Sequence, residues 1–106
     1  SFEFSKDILR FTDKLTEDKK YFIANQLAKS GTSIGANLNE AQNAESRADF
    51  IHKVKIAAKE IEETGYWLLL CKFSKTYPNC DQLITDLKEI ENITNKIIIT
   101  SKNKRD

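Results

Sequence analysis

The sequence predicts an all-α protein, an antiparallel up-down-up-down four-helix bundle formed by a single domain over residues 1–106. One proline and three glycines leave few positions for turns. Apolar residues recur three or four positions apart along most of the chain, which is the period of an amphipathic helix. The breaks between these periodic segments are short, so successive helices are expected to be antiparallel neighbours.

The first helix is predicted to begin after Ser5, whose hydroxyl can cap the free amides of a first turn. Its apolar residues are spaced four, three and four positions apart and therefore share one face: Phe4, Ile8, Phe11 and Leu15. Residues 16–18 form the first break, in which Thr16 or Asp18 could cap the second helix. That second helix is predicted over about residues 19–44.

The second helix carries small residues near its centre. Gly31 and Gly35 are four positions apart and lie on one side of it. Because a glycine inside a helix costs up to about 1 kcal/mol relative to alanine, close approach of a neighbouring helix is expected to offset the cost. The alternative is a helix interrupted near Gly31. Asn37 and Glu40 lie beside this face, where a polar pair can fix register or partner choice.

The third helix is predicted over residues 47–74, because Ser46 followed by Asp49 forms a capping-box pattern with aspartate in place of glutamate. Beyond Gly65 it is apolar nearly all round: Tyr66, Trp67, Leu68, Leu69, Leu70, Cys71 and Phe73. A helix in a four-helix monomer buries one broad stripe, so the surplus predicts a contact between subunits through Tyr66 and Trp67. The alternative is that the N-terminal residues cover this patch.

Pro78 ends the helical pattern, and the fourth helix is predicted to start at Asp81 and to run for about 20 residues. Residues 101–106 are expected to fray. Cys71 and Cys80 stand on either side of this connection and could approach each other across it. Free thiols are nevertheless expected, because two cysteines make no disulfide framework.

The sequence lacks the residues that several kinds of functional site require. With one histidine, His52, and no CxxC or Glu-x-x-His pair, no metal site or cofactor is expected. No catalytic Ser/His/Asp or Cys/His set can be assembled, and an enzyme would require perturbed carboxylates around Glu40, Glu60 or Glu63. No apolar run reaches the roughly 20 residues of a membrane span, and the first residues do not form a signal peptide. A cytoplasmic protein is therefore expected.

The charge pattern is local rather than global. A net charge of +1, from 17 basic and 16 acidic residues, gives no overall signal for nucleic acid. Within the first half of the third helix, however, Arg47, Lys53, Lys55 and Lys59 stand against only Asp49. Such a run is more often a solvated helix face than a binding surface.

Taken together, the segments SGTSIGAN, EAQNAES, ADFIHK and KEIEETGYWLLL resemble a bacterial four-helix-bundle family encoded in intervening sequences of large-subunit ribosomal RNA genes. The resemblance covers about residues 4–73, and the last helix only by pattern. It implies an antiparallel bundle that forms a homopentameric ring, no known enzymatic activity, and RNA or DNA binding. That family is similar in fold to the accessory protein of diversity-generating retroelements, which binds nucleic acid and reverse transcriptase. The family pattern usually has arginine before SGTSIGAN; this chain has Lys29, which keeps the charge but loses the bidentate fork.

Two functions from different classes follow from these observations. The first is a non-enzymatic, ring-forming accessory protein that binds nucleic acid. Its phosphate contacts would come from five basic residues: Lys29, Arg47, Lys53, Lys55 and Lys59. The second is a protein-interaction scaffold without nucleic-acid binding, which docks a partner protein at its aromatic residues and bundle ends. Six residues are expected at interfaces: Gly31, Gly35, Asn37, Glu40, Tyr66 and Trp67.

Overall fold

The computed structural model describes residues 1–103, which form four α-helices and the turns between them. The helices are α1 (Phe2–Glu17), α2 (Tyr21–Gln42), α3 (Arg47–Lys72) and α4 (Asp81–Asn103). The all-α prediction is confirmed, and the described residues contain no strand. The expected fraying is wrong for residues 101–103, which continue α4; residues 104–106 lie outside the described residues. None of the four described helices combines the length and apolarity needed to cross a membrane.

Each helix packs against its neighbours in the chain, and α1 also contacts α4. The contact between α2 and α3 is the most extensive, and that between α1 and α4 is the smallest. The helices α1 and α2 run in opposite directions, since Gly31 lies beside Ile8 of α1 whereas the later Gly35 lies beside the earlier Ser5. Between α2 and α3, Ser30 contacts Thr64 whereas the later Glu40 contacts the earlier Lys53, so these helices also run in opposite directions. Between α3 and α4, Arg47 contacts Ser101 whereas the later Lys72 contacts the earlier Asp81, which shows the same relation.

The core is one apolar cluster to which all four helices contribute. Its fully buried apolar residues include Ile8, Leu15, Leu27, Ile34 and Leu68. Gly31 allows α1 to approach α2, because a Cβ at this position would lie 2.8 Å from Cγ2 of Ile8. The predicted close approach is therefore confirmed, and the alternative of an interrupted helix is wrong, since α2 continues through both glycines.

A buried hydrogen bond joins α2 to α3 at the level of this glycine. The hydroxyl of Thr64 donates to Oγ of Ser30 at 3.0 Å, and both side chains are completely buried. Small hydroxyl residues let the two helices come close while each satisfies the other's polar atom. The centre of the bundle thus combines an apolar contact on one side of α2 with a polar one on the other.

The helix ends confirm one predicted cap and correct two. Oγ of Ser46 accepts a hydrogen bond from the backbone N–H of Asp49 at 3.0 Å, as the capping pattern predicts. Ser5 does not start α1; its own N–H donates to the carbonyl of Ser1, so the helix begins four residues earlier than the serine pattern indicated. Neither Thr16 nor Asp18 caps α2, which begins after Lys20 without a side-chain cap.

The turn between α1 and α2 is a Schellman motif. The N–H of Lys19 donates to the carbonyl of Thr16 at 2.9 Å, and the N–H of Lys20 donates to the carbonyl of Leu15 at 2.8 Å. Lys19 has a φ of 62°, in the left-handed region that favours glycine. Because a lysine occupies this position, the sequence carries no glycine signal for the turn.

Candidate interaction surfaces

The outer face of the N-terminal half of α3 is basic. His52, Lys55 and Lys59 are exposed and follow one another at intervals of three and four, which aligns them on one side of the helix. In the part of the chain that the structure describes, neither Lys55 nor Lys59 forms an ion pair. Two of the five predicted phosphate-binding residues are thus brought together with their charges open to solvent.

Lys53 and Lys29 lie at the α2–α3 contact instead. The ammonium of Lys53 donates to the carboxylate of Glu40 at 2.9 Å, and this hydrogen bond together with the charge of Glu40 raises the pKa of Lys53. Lys29 is exposed on α2 near Glu60, where burial and then the charge of Glu63 raise the pKa of Glu60 and the charge of Lys29 opposes the rise. Both lysines already face a carboxylate of their own chain.

Arg47 stands at the start of α3 and is exposed. Its guanidinium donates to the carbonyl of Ser101 at 3.1 Å, so it ties the first turn of α3 to the last turns of α4. It lies at the end of the helix that carries Lys55 and Lys59, about two and about three turns away from them. The basic run therefore divides into outward-facing lysines, an arginine at the bundle end and a lysine in the α2–α3 contact.

The small and polar residues predicted at interfaces make contacts within the chain. The side-chain amide of Asn37 donates to the carbonyl of Ser33 at 2.9 Å, whereas Glu40 pairs with Lys53. A Cβ added to Gly35 would lie 3.1 Å from Oγ of Ser5, so this glycine, like the buried Gly31, serves the contact between α1 and α2.

The C-terminal half of α3 exposes a large apolar patch together with the start of α2. Its exposed members are Tyr21 at 56%, Phe22 at 67%, Tyr66 at 58%, Leu69 at 49%, Leu70 at 43% and Phe73 at 79%. The alternative that N-terminal residues cover the patch is therefore wrong. Phe22 and Ile23 are adjacent apolar residues, and the structure buries Ile23 and exposes Phe22. Residues 21–23 are a run of three large apolar residues, and a helix can bury only part of such a run in one core, so the run itself indicates an exposed apolar residue.

Two distinct surfaces flank α3 within this patch. On the α2 side, Phe22 meets Trp67 edge to face, with ring centroids 5.8 Å apart, and Leu70 adjoins them; we call these three residues the aromatic ridge. On the α4 side, an apolar groove of about 370 Å³ separates α3 from α4. This α3–α4 groove is lined by Ile61, Gly65, Leu69, Ile84 and Leu87, with charged residues at its rim.

The cysteines lie under this end of the bundle. Cys71 and Cys80 are buried and unbonded to each other, which confirms the prediction of free thiols. Burial, and then the neighbouring Cys80, raises the pKa of the Cys71 thiol to about 11, and burial also raises that of Cys80. Both are therefore protonated at neutral pH, which makes them poor nucleophiles and metal ligands. Among the described residues, no group of three potential ligands could hold a metal ion.

The sequence and fold match known proteins over most of their length. Residues 1–97 match the family described as 23S rRNA-intervening sequence protein. The chain belongs to this family. A solved structure is also similar: a protein of unknown function from the S23 ribosomal protein family of Bacteroides thetaiotaomicron VPI-5482. It is 39% identical, with a TM-score of 0.86, over 92% of this chain and 93% of that one. No match is found among curated proteins.

Membership in the 23S rRNA-intervening sequence protein family confirms the resemblance that the sequence motifs carry, and it reaches further. The motifs end near residue 73, whereas the family match continues through most of α4. The fourth helix, which the sequence gives only as an apolar pattern, is therefore part of what the family shares. Neither similarity assigns a role to the lysines or to the aromatic patch of this chain.

Proposed function

We propose that this member of the 23S rRNA-intervening sequence protein family is a non-enzymatic accessory protein that assembles into a homopentameric ring and binds RNA in the cytoplasm. The observation that carries the RNA part is the exposed pair Lys55 and Lys59, one helical turn apart with no ion pair among the described residues. Unpaired lysines on a rigid helix face are suited to phosphate oxygens. The family description names an intervening sequence of 23S rRNA, which supports RNA as the nucleic acid.

Assembly would turn a weak local charge into a substantial one. One chain has a net charge of +1, which is too little for tight binding to a polyanion. A symmetric ring repeats each surface in every copy, so a pentamer would present about ten such lysines to one RNA. Affinity should then fall steeply with salt, since each phosphate contact releases counterions.

The structure narrows the residues expected to touch phosphate. Lys55 and Lys59 carry the proposal, with His52 beside them and Arg47 at the end of the same helix. Lys53 contributes less, because releasing it would leave Glu40 without its partner. Two of the three carboxylates considered for catalysis are similarly engaged: Glu40 with Lys53, and Glu63 with the indole N–H of Trp67 at 3.5 Å. The third, Glu60, has a pKa raised by burial and then by the charge of Glu63. The contacts of Glu40 and Glu63 support a binding protein rather than an enzyme.

The test measures RNA affinity and mass together. Wild type should show a light-scattering mass near five times 12.2 kDa, and it should retain a structured RNA in low salt and release it in high salt. The double variant Lys55→Glu/Lys59→Glu should keep the mass and lose binding by tenfold or more. The control Lys14→Glu/Lys96→Glu carries the same change in net charge on two other exposed helix faces. Equal RNA affinity for both double variants would refute the assigned surface.

A second candidate function is favoured by a different observation. The exposed patch at Tyr66, Leu70 and Phe73 resembles the apolar centre of a protein interface more than a phosphate-binding surface. In a protein-interaction scaffold, RNA retention would be weak and indifferent to Lys55 and Lys59. The same binding experiment therefore separates the two functions.

A further inference from the structure

The aromatic ridge and the α3–α4 groove lie on opposite flanks of the same helix. Trp67 and Gly65 are two positions apart, which places their side-chain directions about 200° apart around α3. Trp67 accordingly packs with Phe22 of α2, whereas Gly65 faces Leu87 of α4. A single partner lying on one flat face cannot fill the groove and also cover the far side of the ridge. Covering both surfaces therefore requires two separate contacts.

The geometry points to a head-to-tail contact in which the aromatic ridge of one copy seats in the α3–α4 groove of the next copy. This inference rests on the self-assembly in the proposed function and names the surfaces that join the copies. Phe22 is the most exposed residue of the ridge at 67%, and with Trp67 and Leu70 it forms one wall of a hollow of about 390 Å³. The groove is concave and apolar, and its volume of about 370 Å³ falls in the range of about 300–1,000 Å³ typical of binding clefts.

The charges around the two surfaces favour ridge against groove over ridge against ridge. Lys19 and Lys20 stand beside the ridge, and Glu63 accepts from the indole N–H of Trp67 at 3.5 Å, so the charges next to the ridge sum to +1. Glu62, Glu91 and Lys88 border the groove, and their charges sum to −1. The head-to-tail contact thus brings a surface of net positive charge to one of net negative charge. Like-to-like contacts would instead bring together two surfaces of the same net sign, which is unfavourable.

The exposed area is of the size that an interface covers. Aromatic side chains bury about 150–250 Å² each, so the exposures of Tyr21, Phe22, Tyr66 and Phe73 leave several hundred Å² of apolar surface at one end of the chain. The largest apolar patch on a typical monomer is about 300–600 Å² and is often functional, and stable partners bury about 800 Å² each. Because the two contacting surfaces differ, the contact is heterologous and generates a closed ring when the rotation between copies closes.

The experiment uses two variants that each disable one surface and preserve the helix that carries it. Phe22→Asp places a charge on the ridge, within the first turn of α2, where a carboxylate is favourable and where α2 has no acidic residue. Gly65→Gln fills the groove; a Cβ there is 3.5 Å from Cδ2 of Leu87, so the side chain fits without displacing backbone. The matched control is Phe2→Asp, which makes the same substitution at a residue 74% exposed in the first turn of α1, outside both surfaces.

Light scattering of purified full-length chains then gives the answer. We expect wild type and Phe2→Asp to assemble, and Phe22→Asp and Gly65→Gln each to fall to a single chain of 12.2 kDa. An equimolar mixture of the two disabled variants retains one intact ridge and one intact groove, so it should form pairs of about twice that mass. Thermal unfolding confirms that each variant folds; if Phe22→Asp does not, Leu70→Gln tests the ridge at a residue 43% exposed.

Four outcomes would overturn the inference, and the last of them would also refute the proposed self-assembly. If both variants keep the mass of the wild-type assembly, or if their mixture keeps the mass of a single chain, then other surfaces join the copies. Either result would leave the proposed self-assembly intact. A wild type that forms only dimers would contradict the head-to-tail arrangement. A monomeric wild type would refute the proposed self-assembly itself and assign the ridge to a different protein.

Discussion

Gly31 and Gly65 both lie inside long helices that pack against a neighbour, yet the two contacts differ. At Gly31 the chain fills the space itself, so tightly that a Cβ would lie 2.8 Å from Cγ2 of Ile8. At Gly65 the nearest atom to such a Cβ is Cδ2 of Leu87 at 3.5 Å, and the α3–α4 groove beside it remains open. The comparison shows that a glycine within a helix can serve either close packing inside one chain or a concavity for another.

The largest loss of stability is expected from a substitution at Gly31, where the chain leaves no space for a side chain. Gly31→Leu should destabilise the chain by about 3 kcal/mol, because a side chain in this space displaces Ile8 from a fully packed core. Gly65→Leu is the control, since the same change points into an open groove and should shift stability by less than about 1 kcal/mol. Urea unfolding of the two variants measures the difference. Equal losses at the two positions would remove the distinction between a closed and an open contact.

The polar side of the closed contact gives the next effect. Thr64→Val should cost about 2 kcal/mol, because Oγ of the fully buried Ser30 loses the hydroxyl that donates to it. The double variant Ser30→Ala/Thr64→Val removes both polar atoms and should recover part of that loss. Unfolding free energies of the two single variants and the double variant complete a cycle. Simple additivity would mean that the hydrogen bond couples the two helices no more than separate side chains would.

Gly65→Ala sharpens the comparison in the opposite direction. Alanine is better than glycine inside a helix by about 1 kcal/mol, and its methyl group would meet Leu87 at an ordinary van der Waals distance. The melting temperature of the variant should therefore rise. A fall would show that α3 and α4 are already in contact at this level and that the groove has no room.

The features that could be predicted from the sequence are those that a local pattern specifies. Apolar spacing indicated the four helices, and the Ser46–Asp49 pattern indicated the start of α3, because each depends on residues within one turn. The close approach at Gly31 followed from the cost of glycine in a helix. These inferences required no knowledge of which helices are neighbours.

The features that escaped prediction depend on how the helices are rotated and paired. Phe22 and Ile23 are both large apolar residues, and only the rotation of α2 against the core exposes Phe22 and buries Ile23. The pairing of Lys53 with Glu40 crosses 13 positions of sequence, so the basic run of α3 looks more uniform in the sequence than it is in the bundle. The α3–α4 groove requires Gly65 to face a helix that begins 16 residues later, which no local pattern encodes.

Lys19 presents the opposite case to the two glycines: its backbone conformation favours glycine, yet the residue is a lysine. With a φ of 62°, it holds the left-handed position of the turn that ends α1. Lys19→Gly relieves that strain, although glycine also gives the unfolded chain more freedom, so a net gain of about 0.5 kcal/mol is expected. The comparison variant Lys19→Ala keeps a Cβ and should gain nothing. If both variants change the unfolding free energy equally, the effect comes from the lysine side chain, and the position would then be retained for its charge beside the aromatic ridge.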